Sequence, residues 1–299
     1  MHPKVAKTKS HVVLLGISTL GALLPRAACG QQATSGRDHI PVGWYEYPSD
    51  KLENLDEASK QCFSFSRNDW HVMVDGSDVT FEKRLRQDNA AAPALPPLLK
   101  PENGMPGRNV SDGLRTAIHY RDGWLLAYDG GEWGGGLWLT NEDGSRTKRI
   151  VDSNVRAVVA IDSGILVLSG LAHLTMNFGN ASIFSNPSGL DISLQHTTQL
   201  DGMPSAPTKA PDGSVLFVTT DGLYKVTKIG ELQRPANLPK WTRHQSPDSM
   251  AIAANGTIFV GMRMFVLQIR PDAGYSFELL LPNECRRFEL QQFDCVCKP

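Results

Sequence analysis

The chain has 299 residues, 41% of them hydrophobic and 20% charged, with a formal charge of −1. That is ample material for a large core in one or two domains. The charge balance excludes a chain built to coat nucleic acid, which requires a basic footprint.

The first eleven residues, MHPKVAKTKSH, carry Lys4, Lys7 and Lys9 and no acid, and the run from Val12 to Leu24 is uncharged. That run falls short of the roughly 20 residues that cross a bilayer. A basic head, a short apolar run and small residues after it make residues 1–29 a secretory signal. The exit, PRAACG, resembles a bacterial lipoprotein processing site with Cys29 as the lipidated residue, although Arg26 stands where that pattern has an aliphatic side chain. The alternative is ordinary cleavage after Cys29 or Gly30, with Ala27 or Ala28 two positions earlier. Both routes lead to the periplasm or cell surface. Removing residues 1–29 takes away four cations and no acid, so the charge moves from −1 to −5. No polybasic patch for anionic lipid remains, and membrane association is expected only through a lipid on Cys29.

Four cysteines follow: Cys62, Cys285, Cys295 and Cys297. An even number in an exported chain leads to an expectation of disulfides, with three pairings open. Cys295 and Cys297 are too close to pair comfortably, so each is expected to reach elsewhere, and a bridge from Cys62 would tie the chain ends together. A four-thiolate zinc site is the rival, but paired CxxC units are missing.

Residues 30–48 read as a tether or N-terminal strand, and residues 49–299 as one domain. A short helix is expected over Leu52–Lys60, capped by Ser49 or Asp50. Strand-like runs then begin at Cys62: CFSFS, WHVMV and VTFEKRL, with Asp75–Gly76 as a tight-turn pair. Residues 87–110 hold Pro93, Pro96, Pro97, Pro101 and Pro106 and read as an internal linker, because proline lacks the backbone donor.

A series of similar units follows: AIHYRDGWLLAYDG, VVAIDSGILVLSG, PTKAPDGSVLFVTTDG and MAIAANGTIFVG. Each pairs two apolar strands through an Asp-, Asn- or Ser-Gly turn. The turn glycines, Gly123, Gly164, Gly213 and Gly256, are 41, 49 and 43 residues apart, a spacing in the range of propeller blades. One such sheet has two apolar faces and cannot bury both alone, whereas stacked sheets can. Helical patterns between strands are missing, which argues against a parallel α/β fold; a sandwich of hairpins stays open.

From about Cys62 to Pro282 the chain resembles the β-propeller superfamily, as exported bacterial propellers of WD40-like architecture without the Trp–Asp signature. The resemblance implies an all-β propeller of five or six blades: four repeats, a fifth blade from residues 62–86, and a sixth from residues 38–48 and the tail. Such folds commonly close by combining both chain ends in one blade, and residues 283–299 are expected to form that Cys-containing closing tail.

The segment Ala127–Gly144 places Gly130, Gly131, Gly134, Gly135 and Gly136 around a tryptophan. It lacks the lysine and hydroxyl of a phosphate loop, misses GxGxxG at Leu139, and leads into a strand rather than a helix. A connection between strands fits better. Glu132, Trp133 and Trp138 are its ligand-binding candidates, with Trp133 filling a gap between blades as the alternative. The long segment 170–189 adds His173 and Asn177. His119 and His196 also stand on strands, but without HExxH or HxH spacing. GxSxG is missing, and most carboxylates sit in turns where they bond to their own loop. Asn109, Asn180 and Asn255 are formal glycosylation acceptors, expected unmodified in a bacterial setting.

The expectation for function is an exported, non-catalytic binding module for a protein or a cell-envelope glycan, with Trp124, Trp133, Trp138 and Trp241 as anchor area. The rivals are a metal-assisted hydrolase or lyase acting at the central channel, and a structural propeller without a ligand. No cofactor or metal ligand is assigned; calcium is the ion left open.

Overall fold

The computed structural model describes residues 40–47, 68–75, 78–85, 114–186, 188–240, 242 and 246–283. The signal segment, the Leu52–Lys60 helix, the 87–110 linker and nearly all of the 283–299 tail lie outside these residues. All described residues belong to one compact unit, Ile40–Pro299; the other unit, Met1–His39, contains none.

The described chain is all-β. It begins with β1 (Trp44–Tyr47), followed by the hairpin of β2 (Asn68–Asp75) and β3 (Asp78–Leu85). The repeated part starts with β4 (Leu114–Tyr120), β5 (Gly123–Asp129), β6 (Gly135–Asn141) and β7 (Thr147–Val151). Next come β8 (Val155–Ile161), β9 (Gly164–His173), β10 (Met176–Phe184) and β11 (Leu194–Leu200). The third sheet contains β12 (Ser205–Lys209), β13 (Val215–Val218), β14 (Gly222–Val226) and β15 (Leu232–Asn237). The fourth contains β16 (Ser249–Ile252), β17 (Ile258–Gly261), β18 (Val266–Arg270) and β19 (Ser276–Pro282). Every four-strand group is an antiparallel meander resembling a propeller blade, and the β2–β3 hairpin is a fifth, two-stranded sheet.

The repeated Asp/Asn–Gly signals form the turns between the first two strands of each sheet. In two of them the side chain fixes the turn: Asp212 Oδ1 accepts from the Ser214 amide at 2.9 Å, and Asn255 Oδ1 accepts from the Thr257 amide at 3.0 Å. β7 and β15, partly exposed, and β11, exposed almost throughout, complete the sheets as edge strands, so they carry no long run of apolar residues to betray them.

Burial is organised between sheets. Leu125, Leu137 and Leu139 of the first meander pack with Val155, Ile165 and Val167 of the second. Leu166, Leu168 and Ile183 of the second pack with Phe217, Tyr224 and Val226 of the third. Leu216, Val218 and Leu223 of the third meet Val260, Leu267 and Leu279 of the fourth. Each meander therefore hides apolar surface that it cannot bury alone.

The chain ends meet at the fourth sheet. β1 pairs antiparallel with β19, with Trp44 opposite Pro282 and Tyr47 opposite Leu279. On the face of that sheet, Val72 is buried with Phe259, Val266 and Leu280, and Trp44, Trp70 and Phe81 pack against them. The rings of Trp44 and Trp70 meet edge-on at 4.6 Å. The Trp70 amide donates to the Met262 carbonyl at 2.9 Å, and the Val72 amide to Ser249 Oγ at 2.8 Å. The expected disulfides require a correction: among the described residues no Sγ–Sγ pair is present, and Cys62, Cys285, Cys295 and Cys297, like Cys29, lie outside them.

Connectivity gives the sheets two distinct ends. The short links 152–154 and 201–204, and the longer link 238–248, join consecutive sheets at one end. In a meander that same end carries the turns between second and third strands, here 130–134, 174–175, 219–221 and 262–265. Because Trp44 lies opposite Pro282, the chain also enters β1 at this connecting end.

Candidate contact surface at the connecting end

The glycine-rich segment forms the turn between β5 and β6. Gly131–Trp133 make one 3-10 turn that opens with Gly131 at φ +62° and is followed by Gly134 at φ +89°, angles that other residues adopt at a cost. Asp129 Oδ1 accepts from the Gly131 amide at 2.9 Å, and Asn154 Nδ2 donates to the Gly131 carbonyl at 2.7 Å. Asp129 is buried and forms an ion pair with Arg156 of β8, which ties the base of the turn to the next sheet. The turn is thus held from below and carries Glu132 and Trp133 outward; the indole is 83% exposed.

Trp138 behaves differently. It lies on β6, is only 2% exposed, packs with Leu126, and has the Arg149 guanidinium 5.2 Å from its ring centre. It is a core residue and presents no surface to a ligand. Trp124 is partly buried in the same cluster and meets His119 edge-on, while Trp241 lies outside the described residues.

His173 and Asn177 sit on the β9–β10 hairpin, which has the longest strands of any sheet here. β8 pairs with β9 only as far as Val155 opposite Ser169, and β11 with β10 only as far as Leu200 opposite Gly179. Residues 171–178 therefore project beyond both flanking strands of their own sheet. Cross-strand partners Leu171–Phe178 and His173–Met176 share one face of the projection, and Ala172–Asn177 the other.

Contacts fix which way these faces look. His173 Nδ1 lies 3.4 Å from Glu132 Oε2, so the first face is turned toward the Trp133-bearing turn. Asn177 Nδ2 donates to Thr220 Oγ1 at 2.7 Å, and its Oδ1 accepts from the Met203 amide at 2.9 Å, which holds the second face toward the third sheet. The Asn177 amide is spent on these internal bonds.

The structure thus brings Glu132, Trp133 and His173 together, leaves Asn177 beside them as a brace, and removes Trp138 to the core. It adds three residues not singled out by sequence: Leu174 at the hairpin tip, 91% exposed, and Met176 and Phe178 below it, 47% and 40% exposed. Their signal was present as apolar residues on alternate positions beside the Leu174–Thr175 turn. His196 bonds to Thr198 Oγ1 at 2.7 Å and His119 to Glu142 at 2.9 Å, each within its own sheet. Among the described residues no group of three His, Cys, Asp or Glu side chains is placed to hold a metal ion.

No protein-family model and no curated protein matches the chain. Among solved structures, virginiamycin B lyase from Staphylococcus aureus is similar at 11% identity, with 81% of this chain and 75% of that chain covered and a TM-score of 0.39. A streptogramin B lyase is similar at 12% identity, covering 78% and 72%, with a TM-score of 0.38. The extracellular domain of a hybrid two-component system from B. thetaiotaomicron is similar at 11% identity, covering 82% of this chain but 37% of that one, with a TM-score of 0.31. Likeness at this level carries neither activity nor substrate over to this chain.

Proposed function

We propose that the chain is an exported, non-catalytic binding module of five-bladed propeller type, in which the β2–β3 hairpin supplies the inner part of the fifth blade. Its contact surface is the connecting end, where Trp133 and Leu174 stand beside Met176 and Phe178. The observation that carries this reading is the exposure of two large apolar side chains, 83% and 91%, on neighbouring turns braced by buried or hydrogen-bonded residues. Large apolar groups clustered at one surface mark interaction sites, whereas scattered ones need no explanation. Rigid support from Asp129–Arg156 and Asn177–Thr220 lowers the ordering cost of binding.

The test compares wild-type chain with a Trp133→Ser/Leu174→Asp double variant against lipid vesicles, cell-envelope glycan and envelope protein. The wild type should retain one of these and the variant lose it. Equal binding of both forms to all three would refute the surface assignment.

A further inference from the structure

The envelope component met by this surface can be named by class, and we infer that it is a lipid bilayer: Leu174, Met176 and Trp133 enter the interfacial layer of the membrane. The inference rests on the connecting end being the contact surface.

The apolar group is convex. The projecting hairpin segment rises four residue pairs beyond its flanking strands, about 13 Å at the rise of an extended strand. Exposure falls steadily from the tip, from Leu174 at 91% through Met176 at 47% to Phe178 at 40%. Elements lying in a membrane interface bury apolar side chains to about 5–10 Å, and Met176 lies about 7 Å below Leu174 at the same rise. Trp133 on the adjacent turn is the side chain that favours the headgroup level. Small-molecule sites are concave, so a protruding tip favours an extended lipid surface over a small glycan.

Backbone conformation adds weight. Leu174 holds φ +53°, a left-handed angle that disfavours leucine and that glycine or asparagine would take more readily. An isolated module would carry both the strain and the exposed side chain without return; burial of Leu174 in lipid offsets both. Nearby cations are already engaged, Arg149 by Asp152 and Arg156 by Asp129, so the apolar groups and not anionic headgroups supply the attraction.

Topology supplies the independent argument. The chain enters β1 at the end that bears these tips. Residues 30–39 are the only link between Cys29 and the described unit at Ile40, and span at most about 35 Å when extended. Upstream stands Cys29, so a chain anchored by a lipid on that residue would enter the described unit at this same end.

The experiment uses the mature chain from Gly30 onward, so that neither a lipid on Cys29 nor the apolar run Val12–Leu24 contributes, and phosphatidylcholine vesicles as the probe. The emission difference between this chain and its Trp133→Phe form isolates the Trp133 signal. That signal should shift to shorter wavelength with vesicles and be quenched by lipids brominated on their acyl chains. Leu174→Asp should lower vesicle partition at least about tenfold, the scale of burying one leucine, without changing the melting temperature. Adding phosphatidylglycerol should not strengthen binding. Unchanged Trp133 emission in the presence of vesicles, or equal partition of the Leu174→Asp form, overturns the inference. If Leu174→Asp instead abolishes retention of an envelope glycan or protein while vesicle partition persists, the lipid assignment falls and the contact surface stands. If it alters none of these, both fall.

Discussion

Gly261→Ala is expected to detach the N-terminal hairpin from the last sheet. A Cβ at this position would stand 2.0 Å from the Trp70 carbonyl oxygen and 2.6 Å from Ser249 Oγ, where real Cβ atoms keep at least 3.0 Å. The nearer obstacle is backbone, so β2 must retreat by about 1 Å, and the 2.9 Å bond from the Trp70 amide to Met262 stretches beyond hydrogen-bonding range. Overpacking costs about 1–3 kcal/mol, the lost bond about 1 kcal/mol, and the loosened Trp44–Trp70 edge contact adds up to about 1 kcal/mol. A total of about 2–4 kcal/mol follows, with the pieces overlapping because they share one displacement.

Gly256→Ala is the control. Its site has φ +86° and open space around it, so only backbone strain of about 1 kcal/mol is expected. Urea denaturation of the three proteins, with the denaturant slope compared, separates the effects. If Gly261→Ala falls within about 0.5 kcal/mol of wild type, the hairpin is not seated on β16–β17 as described and the reasoning fails.

Trp138→Ala should cost about 3–5 kcal/mol and Trp133→Ala less than about 0.5 kcal/mol, since one indole is core and the other is exposed; thermal melts of the two variants check this. Asp212 is held well below the usual carboxylate range, first by its hydrogen bond from Lys225 and then by those from Ser214. A depressed carboxylate contributes stability above about pH 4 that is lost as pH falls, so Asp212→Asn should cost at most about 1 kcal/mol at neutral pH and progressively less on acidification. Glu278 is pushed upward, first by burial and then by Glu46, against the pull of Arg270. Its protonated form is favoured on folding, a contribution present at low pH and lost as pH rises through its folded value. Glu278→Gln should therefore match wild type below about pH 4 and be neutral or more stable, by less than about 1 kcal/mol, at pH 7. Denaturation midpoints across pH 3–8, an interval of about five units, test both carboxylates.

The repeating turns were legible because their chemistry is local. Asp212 and Asn255 bond to amides two residues ahead, so the turn is written in adjacent positions. The inner strands ILVL and VLFV were legible for a different reason: buried on both faces, they read as continuous apolar runs. β11, LQHTTQL, is exposed almost throughout and leaves no such trace. Trp133 and Trp138, five residues apart, looked equivalent in the sequence. Only the 3-10 turn over Gly131–Trp133 and the burial of β6 on both faces separate the exposed ring from the core one. The contact surface was half legible for the same reason: Glu132, Trp133 and His173 share a segment type that draws attention, whereas Leu174, Met176 and Phe178 resemble core until the hairpin is seen to outrun its neighbours.

Amide hydrogen exchange at Trp70 and Val72 tests the architecture most directly. Both amides are used outside the hairpin, Trp70 toward Met262 and Val72 toward Ser249. Seating of the N-terminal hairpin on the last sheet predicts protection at both comparable with that of Phe259 and Val260 in the core. Exchange at the rate of an open loop amide, with β17 still protected, would contradict it.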